Sequence, residues 1–242
     1  ITVIASVYLA SLGMWIVPAC ILTGAVLGAC SGIITTRFLV PSFISTLAIG
    51  MVCYSLAQWL SGNRALYMNA EKRDALFGWM LSSTGIIPNT IFVGAGVFIF
   101  VLVIERKFVL GRRLKAVGSA ELAAAASGIK VARVKVLAFA LSGGLAALAG
   151  VIFSIKLSGG APSIANGFLL PAIVAVLVGG TPLTGGVGGV VNTLVGTMIV
   201  AVIRASMLYL EVDAAHQQMV FGLILITAIV FTIDRSKLTI VK

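Results

Sequence analysis

The run VLAFALSGGLAALAGVIFSI, residues 136–155, contains no charged side chain and is bounded by Lys135 and Lys156. At a rise of 1.5 Å per residue, this run would form a helix of about 30 Å, the thickness of the hydrocarbon core of a bilayer. A helix satisfies its backbone hydrogen bonds within one segment, which lipid requires of a spanning chain. The run therefore predicts a membrane-spanning helix.

The other charge-free runs extend this prediction to an all-α, polytopic transmembrane helix bundle with about seven or eight spans. Residues 1–36 are too long for one crossing and predict the end of one helix followed by a full one. Residues 157–203 leave room for two crossings, separated by GGTPLTGG at residues 179–186. Further spans are predicted at residues 38–60, 87–104 and about 219–233.

The composition agrees with a single transmembrane domain over residues 1–242. Hydrophobic residues make up 60% of the chain and charged residues 10%, whereas about a quarter of an ordinary soluble domain is charged. Because the chain starts with Ile1 inside an apolar run, an N-terminal part of the protein is expected to be missing. Cys20, Cys30 and Cys53 have spacings typical of neither a metal site nor a disulfide framework. We interpret them as packing residues and predict no metal site.

The positive charge predicts the orientation of the chain in the membrane. The chain contains 17 Lys and Arg residues and 7 Asp and Glu residues, which gives a net charge of +10. No nucleic-acid partner is expected, because the basic residues lie between apolar runs without interleaved aromatic platforms. Lys and Arg accumulate in cytoplasmic loops. Placing the basic segment 105–135 inside also places Arg37 and the tail at 234–242 inside, which predicts a cytoplasmic C-terminus and an external loop at 61–88.

Two further patterns concern local structure. Gly24, Gly28 and Gly32 recur every fourth residue, which leaves one helix face without side chains and favours close helix packing. In the basic segment, residues 118–128 predict one short helix of about 13 Å, with Ser119 as N-cap and Gly128 as a left-handed stop. It lacks a broad apolar stripe, so we expect a partner to dock on it. The alternative is a solvated linker helix attracted to anionic lipid.

Two motifs in this region resemble a known family. The first joins Ala116-Val-Gly118, Glu121, Ala123 and Ser127-Gly128-Ile129 to the glycine-containing run at residues 141–150. The second is LPAIVAVLVGGTPLTGG at residues 170–186, followed by Gly189 and Gly196. Together they resemble the permease subunits of bacterial ATP-binding-cassette importers for monosaccharides, of the ribose, xylose and arabinose type. The resemblance extends from about Gly24 to the tail.

The resemblance implies a multi-pass permease subunit that moves a monosaccharide or a similar small polar solute across the bacterial inner membrane. The partners it implies are cytoplasmic ATPase subunits, a second permease subunit in a homodimer or heterodimer, a periplasmic or extracellular solute-binding protein, and membrane lipid. The chain contains no Gly-x4-Gly-Lys-Ser/Thr phosphate loop. ATP and Mg²⁺ are therefore expected on the partner ATPase, and this chain is expected to bind no cofactor and to be no enzyme.

The resemblance also gives the candidate sites, while catalytic residues are not expected and substrate-binding residues remain unknown. It makes 118–128, within a cytoplasmic coupling loop at about 105–135, the helix that couples to the ATPase. The coupling residues are then Gly118, Glu121, Ala123 and Gly128. The glycine-rich break comprises Gly179, Gly180, Thr181, Gly185 and Gly186, and it should lie against protein or at the cytoplasmic mouth. Four external basic residues could dock the binding protein through complementary charge: Arg64, Lys72, Arg73 and Lys156.

Other functions stay open at this point. A permease of the same family could carry an autoinducer-type furanose, a nucleoside or a branched-chain amino acid. A secondary transporter driven by an ion gradient would have broken helices like the one predicted at 179–186, but it would also need intramembrane carboxylates or histidines. A passive channel would need a ring of selective groups. The predicted spans contain neither of these features.

Overall fold

A computed structural model describes residues 15–68, 70–85, 87–182 and 185–232. In chain order these residues form α1 (Ile16–Arg37), α2 (Ser42–Ser61), β1 (Leu66–Tyr67), α3 (Ala70–Leu81), β2 (Ser83–Thr84), β3 (Ile87–Pro88) and α4 (Thr90–Lys107). They continue with α5 (Val109–Ser119), α6 (Glu121–Ala126), α7 (Val131–Lys156), β4 (Gly159–Gly160), a 3-10 helix (Pro162–Phe168), α8 (Leu169–Val178), α9 (Val190–Tyr209) and α10 (Ala214–Thr232).

The predicted all-α, polytopic fold is confirmed. Four helices of the described residues, α1, α2, α7 and α9, are long and apolar enough to cross a membrane. Two shorter apolar helical segments, Pro162–Val178 and Ala214–Val230, add to these. In the span predicted at 87–104, Ile87–Pro88 form β3 and the residues from Thr90 onward lie in α4, whose last turn carries Arg106 and Lys107. The end of a helix that was predicted at the beginning of residues 1–36, and the basic tail at 234–242, lie outside the described residues.

Contacts divide the chain into two compact units, so the single domain predicted over 1–242 stays a prediction. The first unit holds the described residues up to Val97 together with Ile129–Ile164. The second holds Phe98–Gly128 together with the described residues from Ala165 onward.

In the first unit, α1 packs along α7 through the predicted glycine face. A Cβ added to Gly28 would collide with the backbone carbonyl of Phe139, whose carbonyl carbon would lie at 2.9 Å. A Cβ on Gly24 would meet the carbonyl oxygen of Gly143, and one on Gly32 would lie 2.9 Å from Val136 Cα. The two helices therefore touch backbone to backbone, a spacing that only a face without side chains permits.

The same unit also contains a small apolar cluster and two pairs of short strands. Ile16 and Cys20 of α1 pack with Val151 and Ile155 of α7, and Phe77 of α3 lies against them. In this part of the chain β1 pairs antiparallel with β4, and β2 pairs antiparallel with β3.

In the second unit, α8, α9 and α10 share one hydrophobic core. Val174, Val200 and Phe221, one from each helix, are buried in it. Helices α8 and α9 approach closely where Gly196 faces Gly179, because a Cβ on Gly196 would lie 2.7 Å from Gly179 N. This close crossing brings the two helices on either side of the glycine-rich break together.

We expect Gly28→Leu to destabilise the protein by about 1–3 kcal/mol, the usual cost of overpacking a close contact. The added side chain has to displace the Phe139 backbone. Gly50→Leu is the matched control, since Gly50 also lies within a candidate span and a Cβ there would meet no atom within 4 Å. Thermal unfolding of both variants in detergent measures the difference. Equal melting temperatures would contradict the glycine-mediated packing.

Candidate functional site

The predicted single helix at 118–128 is wrong in its boundaries. Helix α5 runs through Ser119, Ala120 is extended with φ −155° and ψ 91°, and the six-residue helix α6 starts at Glu121. Ser119 is therefore no N-cap. Its hydroxyl donates back to the carbonyl of Lys115 at 2.9 Å, a local bond that serine commonly makes within a helix. Gly128 has φ +81°, the left-handed conformation expected for it.

Helix α6 is short, and its exposed apolar side chain is its most unusual feature. Leu122 is 88% exposed, whereas Ala124 is 5% exposed and faces inward. Glu121 and Ala123 are also exposed. A leucine left this open in a segment rich in basic residues places an apolar side chain where a partner could cover it.

The end of α5 lies against the glycine-rich break. A Cβ on Gly118 would lie 2.6 Å from Gly186 N, and a Cβ on Gly186 would lie 2.6 Å from Ser119 N. The Ser119 hydroxyl also donates to the carbonyl of Gly186 at 3.3 Å. Two segments that the sequence analysis treated separately are therefore one site, in which backbone touches backbone.

The break owes its path to glycine conformations. Gly180, Gly185 and Gly186 have φ values of +79°, +80° and +80°, a left-handed region that glycine adopts without steric cost. The chain leaves α8 at Val178 and enters α9 only at Val190. The predicted interruption of the apolar region thus separates two helices, as expected.

Thr181 lies inside this break rather than at its surface. Its Oγ1 is buried and has no hydrogen-bond partner among the described residues. A Cβ on Gly188 would lie 2.8 Å from Thr181 Cβ, so the threonine packs directly against that glycine. Val187, in contrast, is 69% exposed. Among the described residues of the break, Gly180 is exposed as well as Val187.

A carboxylate joins three elements next to this contact. Glu105, in the last turn of α4, places Oε1 2.7 Å from Lys115 Nζ on α5 and accepts the Val190 N–H through Oε2 at 2.9 Å. Burial raises the pKa of Glu105, but the bonds from Lys115 and Val190 and the charges of Lys115 and Arg106 outweigh it and hold the pKa below the ordinary value. The stability from these contacts is present above the unfolded-state pKa and is lost as the pH falls through the lowered one.

The predicted external residues have different surroundings. Arg73 pairs with Asp74 at 2.6 Å and also donates to the Ser158 hydroxyl, so its side chain is only 18% exposed. Arg64 and Lys156 are exposed. The side chain of Lys72 lies outside the described part of the structure. Binding-protein docking by these four residues stays a prediction, with Arg64 and Lys156 as its more accessible members.

Sequence reasoning missed Glu105, Lys115 and Leu122. Glu105 is one acid at the start of a strongly basic segment, and this contrast was the available signal. A second available signal was the position of Leu122 at the start of a run of alanines. Among the described residues, no group of three or more His, Cys, Asp and Glu side chains could hold a metal ion.

Residues 1–229 match the family described as "Branched-chain amino acid transport system / permease component". The chain belongs to this family. The match covers the paired segment of α5 and α6 as well as the glycine-rich break, so the site described above is part of the permease component. No solved structure matches the chain.

Curated relatives of this permease component carry the names of sugar permeases. The ribose import permease protein RbsC of Escherichia coli K12 is 31% identical over 222 residues, which cover 91% of this chain and 68% of the relative. RbsC of Bacillus subtilis 168 is 36% identical over 208 residues, 86% of this chain and 63% of the relative. The L-arabinose permease protein AraH of Azospirillum brasilense is 33% identical over 211 residues, 87% and 61% of the two chains.

We expect Gly118→Ala to loosen the contact between α5 and the break, because its methyl group would lie 2.6 Å from Gly186 N. The local cost should be about 1–3 kcal/mol, as for other overpacked positions. Hydrogen exchange over residues 185–193 should accelerate. Gly222→Ala in α10, where a Cβ would meet no atom within 4 Å, should leave it unchanged. Unchanged exchange in Gly118→Ala would show that the contact is not maintained.

Proposed function

We propose that this chain is the permease subunit of an ATP-driven importer that moves monosaccharides across the bacterial cytoplasmic membrane. The alignment of most of the chain with proteins named as ribose and arabinose permeases carries this proposal. Apolar helices of spanning length agree with it. The chain provides the path for the solute, and ATP hydrolysis belongs to a separate ATPase chain that holds ATP and Mg²⁺.

The contact between α5 and the break supports a route for coupling. In this proposal the ATPase covers α6, with Leu122 as the apolar anchor. Leu122 is 88% exposed, and burying an apolar side chain in a partner's pocket is the usual source of strong interface energy. Movement of α6 reaches α5 through Ala120, and α5 touches the break at Gly186. The break in turn connects α8 and α9.

The proposal includes two further partners. A second permease subunit, identical or related, completes the translocation path, and an external solute-binding protein delivers the solute. The exposed residues Arg64 and Lys156 are the basic side chains through which acidic groups of the binding protein would be attracted. The C-terminal tail is proposed to be cytoplasmic, in line with its basic residues.

The family description names branched-chain amino acids, which makes these solutes the second candidate. Sugars are preferred because the curated relatives reported above are named for ribose and arabinose. Uptake of labelled D-ribose, L-arabinose and L-leucine by cells that express the complete transporter separates the two candidates. Uptake of leucine without either sugar would overturn the monosaccharide assignment.

We expect Leu122→Asp to weaken association with the ATPase by more than about tenfold, because burying a leucine side chain contributes about 1.5–3 kcal/mol and a carboxylate in its place would have to be desolvated. Glu121→Arg should act in the same direction, since it reverses the charge at the first residue of α6. Co-purification of the ATPase with the tagged permease measures the effect, with membrane levels of the permease as a check on insertion. Arg112→Gln, an exposed change on α5, is the control. Full ATPase retention in both test variants would remove α6 from the interface.

Thiol labelling tests the position of the break. In a variant whose three native cysteines are replaced by alanine, Val187→Cys should react with a membrane-impermeant reagent from the cytoplasmic side. Thr181→Cys should react much more slowly, because the hydroxyl at that position is buried. Trapping ATP hydrolysis with vanadate should change the rate at Val187→Cys. Labelling only from outside would contradict the predicted orientation. A labelling rate at Val187→Cys that does not change with vanadate would show that the break is a static connection.

A further inference from the structure

We propose that Glu105 is a positioning residue that fastens the start of α9 to α5, so that a displacement of α5 is passed directly into α9. The inference rests on the proposed function for the source of the displacement. Its physical basis is a junction of three helices that meet at one carboxylate. Helix α4 contributes Glu105, α5 contributes Lys115 and α9 contributes the backbone N–H of Val190.

Each carboxylate oxygen has its own partner in this junction. Oε1 lies 2.7 Å from Lys115 Nζ, and Oε2 accepts from Val190 N at 2.9 Å. Charge-assisted hydrogen bonds of this length are about twice as strong as neutral ones. The Glu105 side chain is 15% exposed and that of Lys115 is 54% exposed, so solvent screens the ion pair with Lys115 more than it screens the bond from Val190. The carboxylate therefore holds α5 and α9 in a defined relation.

Helix α9 needs such an external group at its start. Its N-cap residue is Gly189, which has no side chain to bond the first N–H groups. Unsatisfied N–H groups at a helix start carry partial positive charge and favour a carboxylate. Glu105 supplies that carboxylate from 85 residues away in the chain. The side-chain-free Gly189 also leaves room for it, since a Cβ there would lie 2.9 Å from Oε1.

Helix α5 is thus attached to the end of the break in two places, once directly and once through Glu105. Its last turn lies on Gly186 through Gly118 and Ser119. Lys115, one turn earlier, reaches Val190 by way of the Glu105 carboxylate. Residues 186–190 are held between these two attachments. The glycines within this short stretch would otherwise let the break bend independently of α5, and the second attachment removes that freedom.

This arrangement assigns distinct consequences to three substitutions. Glu105→Gln keeps an acceptor for Val190 but loses the negative charge that attracts Lys115 and the helix start. Lys115→Gln loses the ion pair and keeps the carboxylate on Val190. The exchanged pair Glu105→Lys with Lys115→Glu restores opposite charges, yet it places a cation with no acceptor at the start of α9. An ion pair that served only to join α4 and α5 would be rescued by the exchange, whereas the junction proposed here would not.

The first experiment measures the fastening itself on the purified permease in detergent, without any partner. Hydrogen exchange over a peptide covering residues 187–197 should accelerate in Glu105→Gln and further in the exchanged pair. Lys115→Gln should show a smaller change. Glu211→Gln, a change of the same type at an exposed glutamate, is the matched control and should leave exchange unchanged. Exchange at the wild-type rate in Glu105→Gln and in the exchanged pair would overturn the fastening.

The second experiment measures transmission in the complete transporter, reconstituted in proteoliposomes with labelled D-ribose as the probe. We expect Glu105→Gln to lower the amount of ribose transported per ATP hydrolysed, because a displacement of α5 would no longer be passed into α9. ATPase co-purification should stay at the wild-type level, which separates this defect from loss of the α6 interface. The exchanged pair should be no better than Glu105→Gln. An unchanged ribose-to-ATP ratio in Glu105→Gln, or restoration by the exchanged pair, would overturn the transmission.

The two proposals fail in different ways. A wild-type transporter that retains no ATPase and takes up no ribose in an ATP-dependent manner would overturn the proposed function and, with it, the transmission by Glu105. In that case the exchange measurement would still decide whether the junction holds α9. Normal wild-type transport together with normal coupling in Glu105→Gln would overturn the further inference alone.

Discussion

Backbone polar groups in a bilayer have to find partners within the protein, and this constraint shapes the chain from end to end. It makes helices of the apolar runs, because a helix pairs its own N–H and C=O groups. It also explains why parts of the non-helical stretch between α8 and α9 have partners elsewhere in the chain. The break lies against the end of α5, and the Val190 N–H at the helix start that follows it donates to the Glu105 carboxylate. Where the helical pattern stops, another part of the chain supplies the missing partner.

Close backbone contact is the second theme, and it serves two purposes. Between α1 and α7 the contact through Gly24 and Gly28 runs along the helices and fixes their spacing. At Gly118 and Gly186 it joins a helix end to a loop, and Gly186 has a φ of +80°, which glycine adopts easily. The first is an extended packing surface, whereas the second is confined to the end of α5 and Gly186. A contact this small suits a place where motion enters, because few interactions have to move with it.

The family assignment gives these contacts a functional setting. In the proposed importer, a displacement has to pass from the exposed loop that the ATPase would cover into the helices along the path of the solute. The Leu122 side chain of helix α6 is exposed. Only Ala120 separates α6 from α5, which precedes it in the chain. The end of α5 lies against the break. Three short segments thus lie in series, each in contact with the next. The Glu105 junction adds a stiff polar bond to a route otherwise built from glycine contacts.

The apolar runs and the positions of the basic residues determined by themselves that this is a polytopic helical membrane protein. Span length and backbone satisfaction depend on local sequence alone, so these features could be predicted. The glycine repeat in α1 and the interruption at 179–186 were predictable for the same reason. Ser119 was misassigned, because a serine at a helix end has two competing local bonds, and its surroundings decide between them.

Only the tertiary structure decided which segments meet. That Gly118 faces Gly186, and that Glu105 reaches Val190, depends on contacts between residues 68 and 85 positions apart, which no local pattern encodes. The outward direction of Leu122 likewise follows from how α5 and α6 pack rather than from the alanines around it. The sequence by itself determined most of the helices and their apolar character, and the packing of those helices decided the site, because contacts between residues far apart in the chain leave no pattern in the local sequence.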